Sequence, residues 1–436
     1  MKERRILMST EQRITRREFL EKSALVAAGA GFSTTALPAF GRTPHVRRAN
    51  ERIHIGVIGV GGMGTGHLRD LVQRQADPAQ NIRVMAVCDV WDKRRLNAAR
   101  IAGLAEGDSY RDYRRLLERK DVDAILTATP DHWHAKISMD AMDAGKHIYC
   151  EKPMTLTWQQ ARDFARKAAE TKRVVQIGVQ STSDDRFHKA HEVIRSGGIG
   201  KVLWSQTSYA RNNPGGEWNY PIDPSANPHN LDWDMWLGHR FGLARKRPWD
   251  PDRYFRFRKY WDYSGGIATD LFYHQLAHLE VALGPEFPVR VSAGGGRFIH
   301  RDDREVPDTF YMTVDYPSGH SVIIASSMNN HTGLPEIIRG QKADLTFEGK
   351  GVRITPQEPF KEEIKPYEVA ETPRPGHKDN WFECIRSGNL NTHCNPELGY
   401  KVMVAIHLAV LAYRTGKTMH FNPDTEEVSE KPTVTF

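Results

Sequence analysis

Apolar and polar positions alternate along this chain in two distinct regimes. In the first half, short β-branched runs are separated by helix-length segments, the pattern of a parallel sheet buried on both faces. Ile53-His54-Ile55-Gly56-Val57-Ile58, Val84-Met85-Ala86-Val87-Cys88 and the stretch from Asp121 to Ala128 read as strands, and 66–75 reads as the helix after the first of them. Gln176 to Val179 looks like a further strand leading out of this half. From about 289 to 355 the pattern changes to short strands with period two, such as Tyr311 to Val314 and Ser321 to Ile324, divided by turns. That period predicts an open, mostly antiparallel sheet. The charged, proline-bearing stretch from Pro356 to Pro375 reads as a long loop. The expected fold is α/β: a dinucleotide-binding domain over 51–175, then an α/β domain over 176–436 with a large antiparallel sheet.

Between the first strand and its helix lies Gly59-Val60-Gly61-Gly62-Met63-Gly64, a G-x-G-x-x-G in its required strand–turn–helix context. The first glycine permits the tight turn, the second lets the backbone approach a pyrophosphate, and the third permits close helix–strand packing. The second strand ends at Asp89, placed to accept hydrogen bonds from the adenosine ribose and so to favour NAD over NADP. Arg94 and Arg95 follow, and either can hold a 2′-phosphate.

Charge alters the picture only at the N-terminus. The chain of 436 residues carries a formal +7, but residues 1–52 hold eleven Lys/Arg against five Asp/Glu, leaving about +1 on the rest. A nearly neutral body lacks the footprint of a nucleic-acid binder. Arg16-Arg17-Glu18-Phe19-Leu20, followed by a small-residue apolar run from Ala24 to Leu37, resembles a twin-arginine signal, with cleavage expected near Ala36 to Ala39 and a polar linker to Asn50. That run is too short to span a bilayer, so no membrane anchor is expected after cleavage, and residues 1–50 are assigned to export. An extracytoplasmic, periplasmic location follows as an expectation. Cys88 and Cys150 read as buried thiols, and a bridge between Cys384 and Cys394 is open if the protein matures in an oxidising compartment.

After the third strand come Thr129-Pro130-Asp131-His132-Trp133-His134, then Lys146-His147-Ile148-Tyr149-Cys150-Glu151-Lys152-Pro153, and later Gly265-Gly266 with Asp270-Leu271-Phe272-Tyr273-His274. This combination resembles the glucose–fructose oxidoreductase / inositol dehydrogenase / MocA (Gfo/Idh/MocA) family over about residues 51–420. The resemblance implies that the lysine of Glu-Lys-Pro sits at the nicotinamide and that Asp270 and His274 are the family's D-x-x-x-H pair. It implies a cofactor site of Gly59, Gly61, Gly62, Met63, Gly64, Asp89, Thr129, Pro130, His134, Glu151 and Lys152, with Lys152, Asp270 and His274 catalytic. It also implies pairing of the large sheets into homodimers or homotetramers. Phe272 and Ala277 depart from the glycine and aspartate the family often shows there.

The residue types support that chemistry. Four apart on a helix, Asp270 and His274 share a face. A carboxylate beside an imidazole raises its pKa, helping it keep a proton taken from an alcohol while the adjacent C–H gives hydride to the nicotinamide. Lys152 supplies a cation near the developing alkoxide. His132 and His134 form an H-x-H without an acidic or cysteine partner at ligand spacing, so no metal is expected. His278, one turn past His274, reads as packing rather than substrate contact. The aromatic stretch from Tyr209 to Tyr263 (Trp218, Tyr220, Trp233, Trp236, Trp249, Tyr254, Phe255, Tyr260, Trp261), interleaved with Arg211, Asn212, Asn213, Arg253, Arg256 and Arg258, suits either sugar rings or an ordered interface filling.

Three functions remain open on these residues: hydride transfer with a sugar or polyol by an exported oxidoreductase holding NAD tightly; a glycoside hydrolase of the same fold using NAD transiently; and a sugar-binding scaffold with a vestigial cofactor site.

Overall fold

A computed structural model describes residues 51–432; the basic leader lies outside them. The first domain runs β1 (Ile53–Ile58), α1 (Gly62–Gln75), β2 (Ile82–Cys88), α2 (Asp92–Ala102), β3 (Ser109–Tyr110), α3 (Tyr113–Leu117), β4 (Ala124–Thr127), α4 (Asp131–Asp143), β5 (His147–Glu151), α5 (Trp158–Thr171) and β6 (Val175–Gly178). The sheet order is β3-β2-β1-β4-β5-β6, with every pair parallel. Order reverses between β1 and β4, where ligands bind at the carboxyl ends of the strands in such sheets. The helix expected from Gly66 begins at Gly62, inside the glycine motif.

The chain then forms α6 (Asp185–Arg195) and β7 (Val202–Ser208), crosses the aromatic stretch with α7 (Trp233–Leu237) and α8 (Pro251–Phe255), and enters a π-helical turn, Ala268–Phe272, that runs into α9 (Tyr273–Leu283). There follow β8 (Arg290–Gly296), β9 (Thr309–Asp315), β10 (Ser321–Ser327), β11 (Ile337–Gly340), β12 (Ala343–Glu348), β13 (Gly351–Pro356), β14 (Tyr367–Ala370), α10 (His377–Ser387), α11 (Pro396–Thr415), β15 (Met419–Asn422) and β16 (Glu427–Ser429). These strands make one ten-stranded sheet, β14-β13-β12-β11-β7-β10-β9-β8-β15-β16, in which only β7 and β10 run parallel. Alternate residues of β9 and β10 are buried, so one face packs on the helices. The other face is more open, with Tyr311 52% exposed.

Three findings modify the sequence reading. Within the supposed loop 356–375, β14 pairs with β13 as an edge strand, its lysine- and glutamate-rich flanks masking a weak alternation. Helix α10 returns to the first domain: Trp381, Phe382 and Cys384 join its core, and Asp379 and Lys378 pair with Arg74 and Asp70 of α1. All four cysteines are free and buried, so Cys384 and Cys394 are not bridged. Among the described residues no helix is long and apolar enough to cross a membrane.

Glu280 on α9 is buried against the large sheet, and its Oε2 accepts the Glu286 N–H at 3.1 Å. Burial raises its pKa to about 8. The folded state therefore holds a proton that the unfolded chain releases, and stability falls as pH rises from the ordinary carboxyl range toward 8. Glu280→Gln should raise the thermal midpoint at pH 8 and leave it nearly unchanged at pH 5, by calorimetry at the two pH values.

Candidate active site

The glycine turn forms the floor of a cavity of about 510 Å³. Gly59 has φ +80°, a left-handed conformation that side chains resist. A Cβ on Gly64 would lie 1.8 Å from the Gly59 carbonyl oxygen, so only glycine lets α1 start this close to β1. Helix α1 has no acidic residue in its first turn and no side-chain cap, leaving N–H groups and the positive dipole end for a phosphate. These features fit a dinucleotide pyrophosphate. A Cβ on Gly62 meets nothing within 4 Å. Gly62→Ala should therefore keep the bound nucleotide, whereas Gly64→Ala should lose it, as read by nucleotide released on denaturing each purified variant.

Asp89 ends β2 and braces this turn: its Oδ2 accepts the Val60 N–H and its Oδ1 the Trp91 N–H, both at 2.9 Å. Burial raises its pKa. Each oxygen retains a lone pair, so acceptance from a ribose hydroxyl stays possible. The two arginines that follow differ. Arg94 faces the cavity, held among Trp91, Tyr254 and Phe255 at 5.3, 5.1 and 5.6 Å and donating to the Tyr254 hydroxyl at 3.1 Å. Arg95 turns away to Asp92 and Ser109.

Thr129, Pro130 and Asp131 line the same cavity, while His134 does not. His134 was expected to face the cofactor; instead its Nδ1 lies 2.6 Å from the Pro153 carbonyl oxygen and its Nε2 2.8 Å from that of Thr129, so the ring staples the two loops together inside the core. His132 is buried among Trp133, Trp236 and Tyr263, and burial lowers its pKa to about 4. Among the described residues no group of three or more His, Cys, Asp or Glu is arranged to hold a metal.

The aromatic stretch mostly roofs the nucleotide cavity. It is stitched to the loop after β2 by Asp92 N–H to Asn230 O and Asp232 N–H to Val90 O, both 3.0 Å, and by Lys93 to Asp223 at 2.5 Å. Tyr254, Phe255 and Phe257 line the cavity from above.

A second cavity of about 190 Å³ shares Met63, Glu151, Lys152, Tyr220 and Arg258 with the first and adds Gln180, Tyr209, Arg211, Asp270, Leu271 and His274. Lys152 and His274, from different domains, thus meet in one chamber. Lys152 donates from Nζ to Asp270 Oδ1 at 2.7 Å and to the Asp270 carbonyl at 2.8 Å. Asp270 also accepts Arg258 Nε on Oδ1 at 2.9 Å and the Trp218 indole N–H on Oδ2 at 3.0 Å. Burial opposes ionisation of Asp270, but the Arg258 and Lys152 charges prevail and hold it far below the usual carboxylate range.

His274 makes no side-chain hydrogen bond among the described residues. Asp270 raises the pKa of this imidazole, as expected, but burial first, and then the Lys152 charge, outweigh that effect and lower it to about 3. Asp270 lies in a π-turn with its carboxylate hydrogen-bonded to Lys152, Arg258 and Trp218 rather than to the imidazole, and both side chains line the smaller cavity. His278 pairs with Glu336 at 2.7 Å and stacks on Phe187, a packing role.

His67 escapes sequence reasoning, while Trp218 and Arg258 are named there only within the aromatic stretch, without their role at Asp270. His67, three positions beyond Gly64 on α1, reaches Glu151 Oε1 at 2.7 Å. Burial raises the Glu151 pKa, but the hydrogen bond and charge of His67 outweigh it and hold the group near 2. A Cβ on Gly178 would come 2.6 Å from the same oxygen, so that glycine makes room for the pair. Trp218 takes a left-handed backbone (φ +65°) while buried and bonded to Asp270, a strained position at the site. Arg258 carried no signal beyond its arginine-rich surroundings.

Comparisons with known proteins place this geometry. Residues 53–179 match the Gfo/Idh/MocA description "Oxidoreductase family, NAD-binding Rossmann fold", and 193–434 match "Oxidoreductase family, C-terminal alpha/beta domain". Inositol 2-dehydrogenase of Salmonella typhimurium (strain LT2) is 33% identical over 149 residues, 34% of this chain and 43% of that protein. The Burkholderia ambifaria inositol 2-dehydrogenase is 32% identical over 189 residues, 42% of this chain and 54% of the relative. The chain thus spans about half the length of these relatives. Among solved structures, aldose-aldose oxidoreductase from Caulobacter crescentus shares the fold at TM-score 0.62 and 20% identity, covering 85% of this chain and all of that one. A levoglucosan dehydrogenase in complex with NADH and levoglucosan shares it at TM-score 0.63 and 17% identity, covering 85% and 99%. With both of its domains matched in order, the chain belongs to the Gfo/Idh/MocA oxidoreductase family.

Proposed function

We propose that this protein is an exported oxidoreductase acting on a hydroxyl-bearing carbon of a sugar or polyol, with NAD held tightly in the larger cavity. The observation that carries the reading is the meeting of Lys152, fixed by Asp270, with an uncharged His274 in a chamber continuous with the glycine turn. Bound there, the nicotinamide supplies the two-electron acceptor. His274, neutral by burial, takes the hydroxyl proton as hydride leaves and, with its pKa held low, passes it on rather than storing it. An ammonium has three N–H groups and two of those on Lys152 are given to Asp270, leaving one for the substrate oxygen. Asp89 favours NAD, since a 2′-phosphate would meet its carboxylate.

Export by the twin-arginine route, into the periplasm or beyond, rests on Arg16, Arg17 and the apolar run after them, which lie outside the described residues. Cofactor loaded before export must be retained, and the stitched aromatic roof supports retention. The open face of the large sheet supports a homodimer or homotetramer, which light scattering of the mature protein would check. Protein purified without added nucleotide should carry close to one NAD per chain. An empty site that exchanges NAD freely would contradict this reading. Cleavage of glycosides with no net change in bound NADH would instead favour a hydrolase using the same residues.

A further inference from the structure

Lys152 is held at both ends. Its ammonium is fixed by Asp270 of the second domain, and its main chain by Glu151, whose Oε2 accepts the Lys152 N–H at 3.2 Å. The other oxygen of Glu151 is bound by His67 at 2.7 Å, with Gln180 Nε2 farther off at 3.5 Å. A carboxylate only accepts, so His67 Nε2 carries the hydrogen of this bond. His67 stands one turn beyond Gly64 on α1, and the first residues of that helix, Gly62 and Met63, line the larger cavity. A hydrogen-bonded path therefore leads from the pyrophosphate end of α1, through His67 and Glu151, to the main chain of the lysine.

The pair is built into the core. The side chains of His67 and Glu151 are 8% and 6% exposed. Gly178 leaves room for the carboxylate, and Tyr149 packs edge-on against the His67 ring at 5.4 Å while its hydroxyl accepts Gln180 Nε2 at 3.1 Å. Burying a carboxylate is costly, and apolar side chains of similar volume commonly pack two elements together as stably as an ion pair does. Packing α1 on β5 thus does not call for this pair, whereas fixing a direction between them does. Glu151 borders both cavities and His67 borders neither, so the histidine acts only through the glutamate.

Resting on the oxidoreductase reading above, we propose that His67 is a positioning residue for the reaction. Through Glu151 it sets the main chain at Lys152, so the helix that receives the cofactor's pyrophosphate also aligns the lysine with the substrate hydroxyl.

The test compares the holoprotein with His67→Phe and His67→Gln. Phenylalanine keeps a ring and loses the donor, whereas glutamine offers an amide N–H near the place of Nε2. Two quantities are read: hydrogen exchange of the Lys152 amide, from overlapping peptides over 148–156, and turnover of glucose, myo-inositol and glucitol, from the absorbance of the bound nicotinamide. His67→Phe should exchange about tenfold faster at Lys152 and lose roughly 10- to 100-fold in kcat, the range for a hydrogen bond to a charged group, with KM and bound NAD little changed. His67→Gln should bring both quantities back to within about threefold of the parent protein. If the unpaired Glu151 prevents His67→Phe from folding, the double variant His67→Phe/Glu151→Gln removes that charge and carries the same expectation. Unchanged exchange and kcat without the histidine overturn the inference, as do equal losses in the phenylalanine and glutamine variants. Loss of NAD with exchange at Lys152 unchanged also overturns it and assigns His67 to cofactor binding alone. If none of the three compounds alters the nicotinamide of the parent protein, the oxidoreductase reading fails for them, while the exchange comparison still decides whether His67 sets the main chain at Lys152.

Discussion

Replacing Lys152 by methionine should lower kcat of the holoprotein by about 10³-fold, within the range seen when a proton-transfer partner or oxyanion donor is removed. Methionine preserves most of the volume but removes the one N–H available to the substrate oxygen. It also takes from Asp270 one of its two cationic partners while leaving Arg258 and the Trp218 indole in place. The fold should therefore survive, with NAD content and circular dichroism unchanged. Arginine at this position should not rescue, since a planar fork cannot place one N–H on the substrate while two reach the carboxylate and carbonyl of a single residue. A Lys152→Met protein with full turnover would remove the lysine from the chemistry.

The second large effect is on pH. His274 is held neutral down to about pH 3, so kcat/KM should stay level from pH 7 to 5. An ordinary histidine base, titrating near 6.5, would lose activity about 25-fold over that interval. Stability should behave differently. His132, His147, His274, His377, His393 and His407 all have values lowered to about 3 or 4, burial being the leading cause for each. The unfolded chain binds protons at these six positions below about 6.5 and the folded chain does not, so stability falls as pH drops from there toward 4. Each such group contributes up to about 1.4 kcal/mol per pH unit in that window. Glu280 works in the opposite sense but is outnumbered. Urea midpoints at pH 7 and 5 should thus diverge strongly while initial rates do not; an acid limb in kcat/KM centred near 6.5 would contradict the account of His274.

The contrast between what was legible and what was not follows the range of the interactions. The strand from Ile53 to Ile58, the glycine turn and Asp89 are local patterns with fixed spacing, and each lies where its pattern implied. Lys152 and His274 were readable through family motifs, although no periodicity could join residues 122 positions apart in the chain. What spacing did not reveal was the balance of forces on the imidazole. Asp270 and His274 line one cavity, but burial and the Lys152 charge outweigh the carboxylate, whose oxygens are taken by three donors. His134 sits in a motif that faces the cofactor, yet two carbonyl oxygens from Thr129 and Pro153 claim its ring. Arg258 gains its place only through the aromatic stretch folding back over the first domain, a tertiary event that local composition does not encode.

The most direct measurement is a crystal structure of the NAD-bound protein soaked with the sugar or polyol that reduces the nicotinamide fastest. One substrate hydroxyl oxygen should lie within hydrogen-bond distance of both Lys152 Nζ and a ring nitrogen of His274, with its carbon against the nicotinamide ring. A sugar bound with the reacting hydroxyl remote from either side chain, or turned away from the ring, would contradict the assignment of this chamber as the place where the chemistry happens.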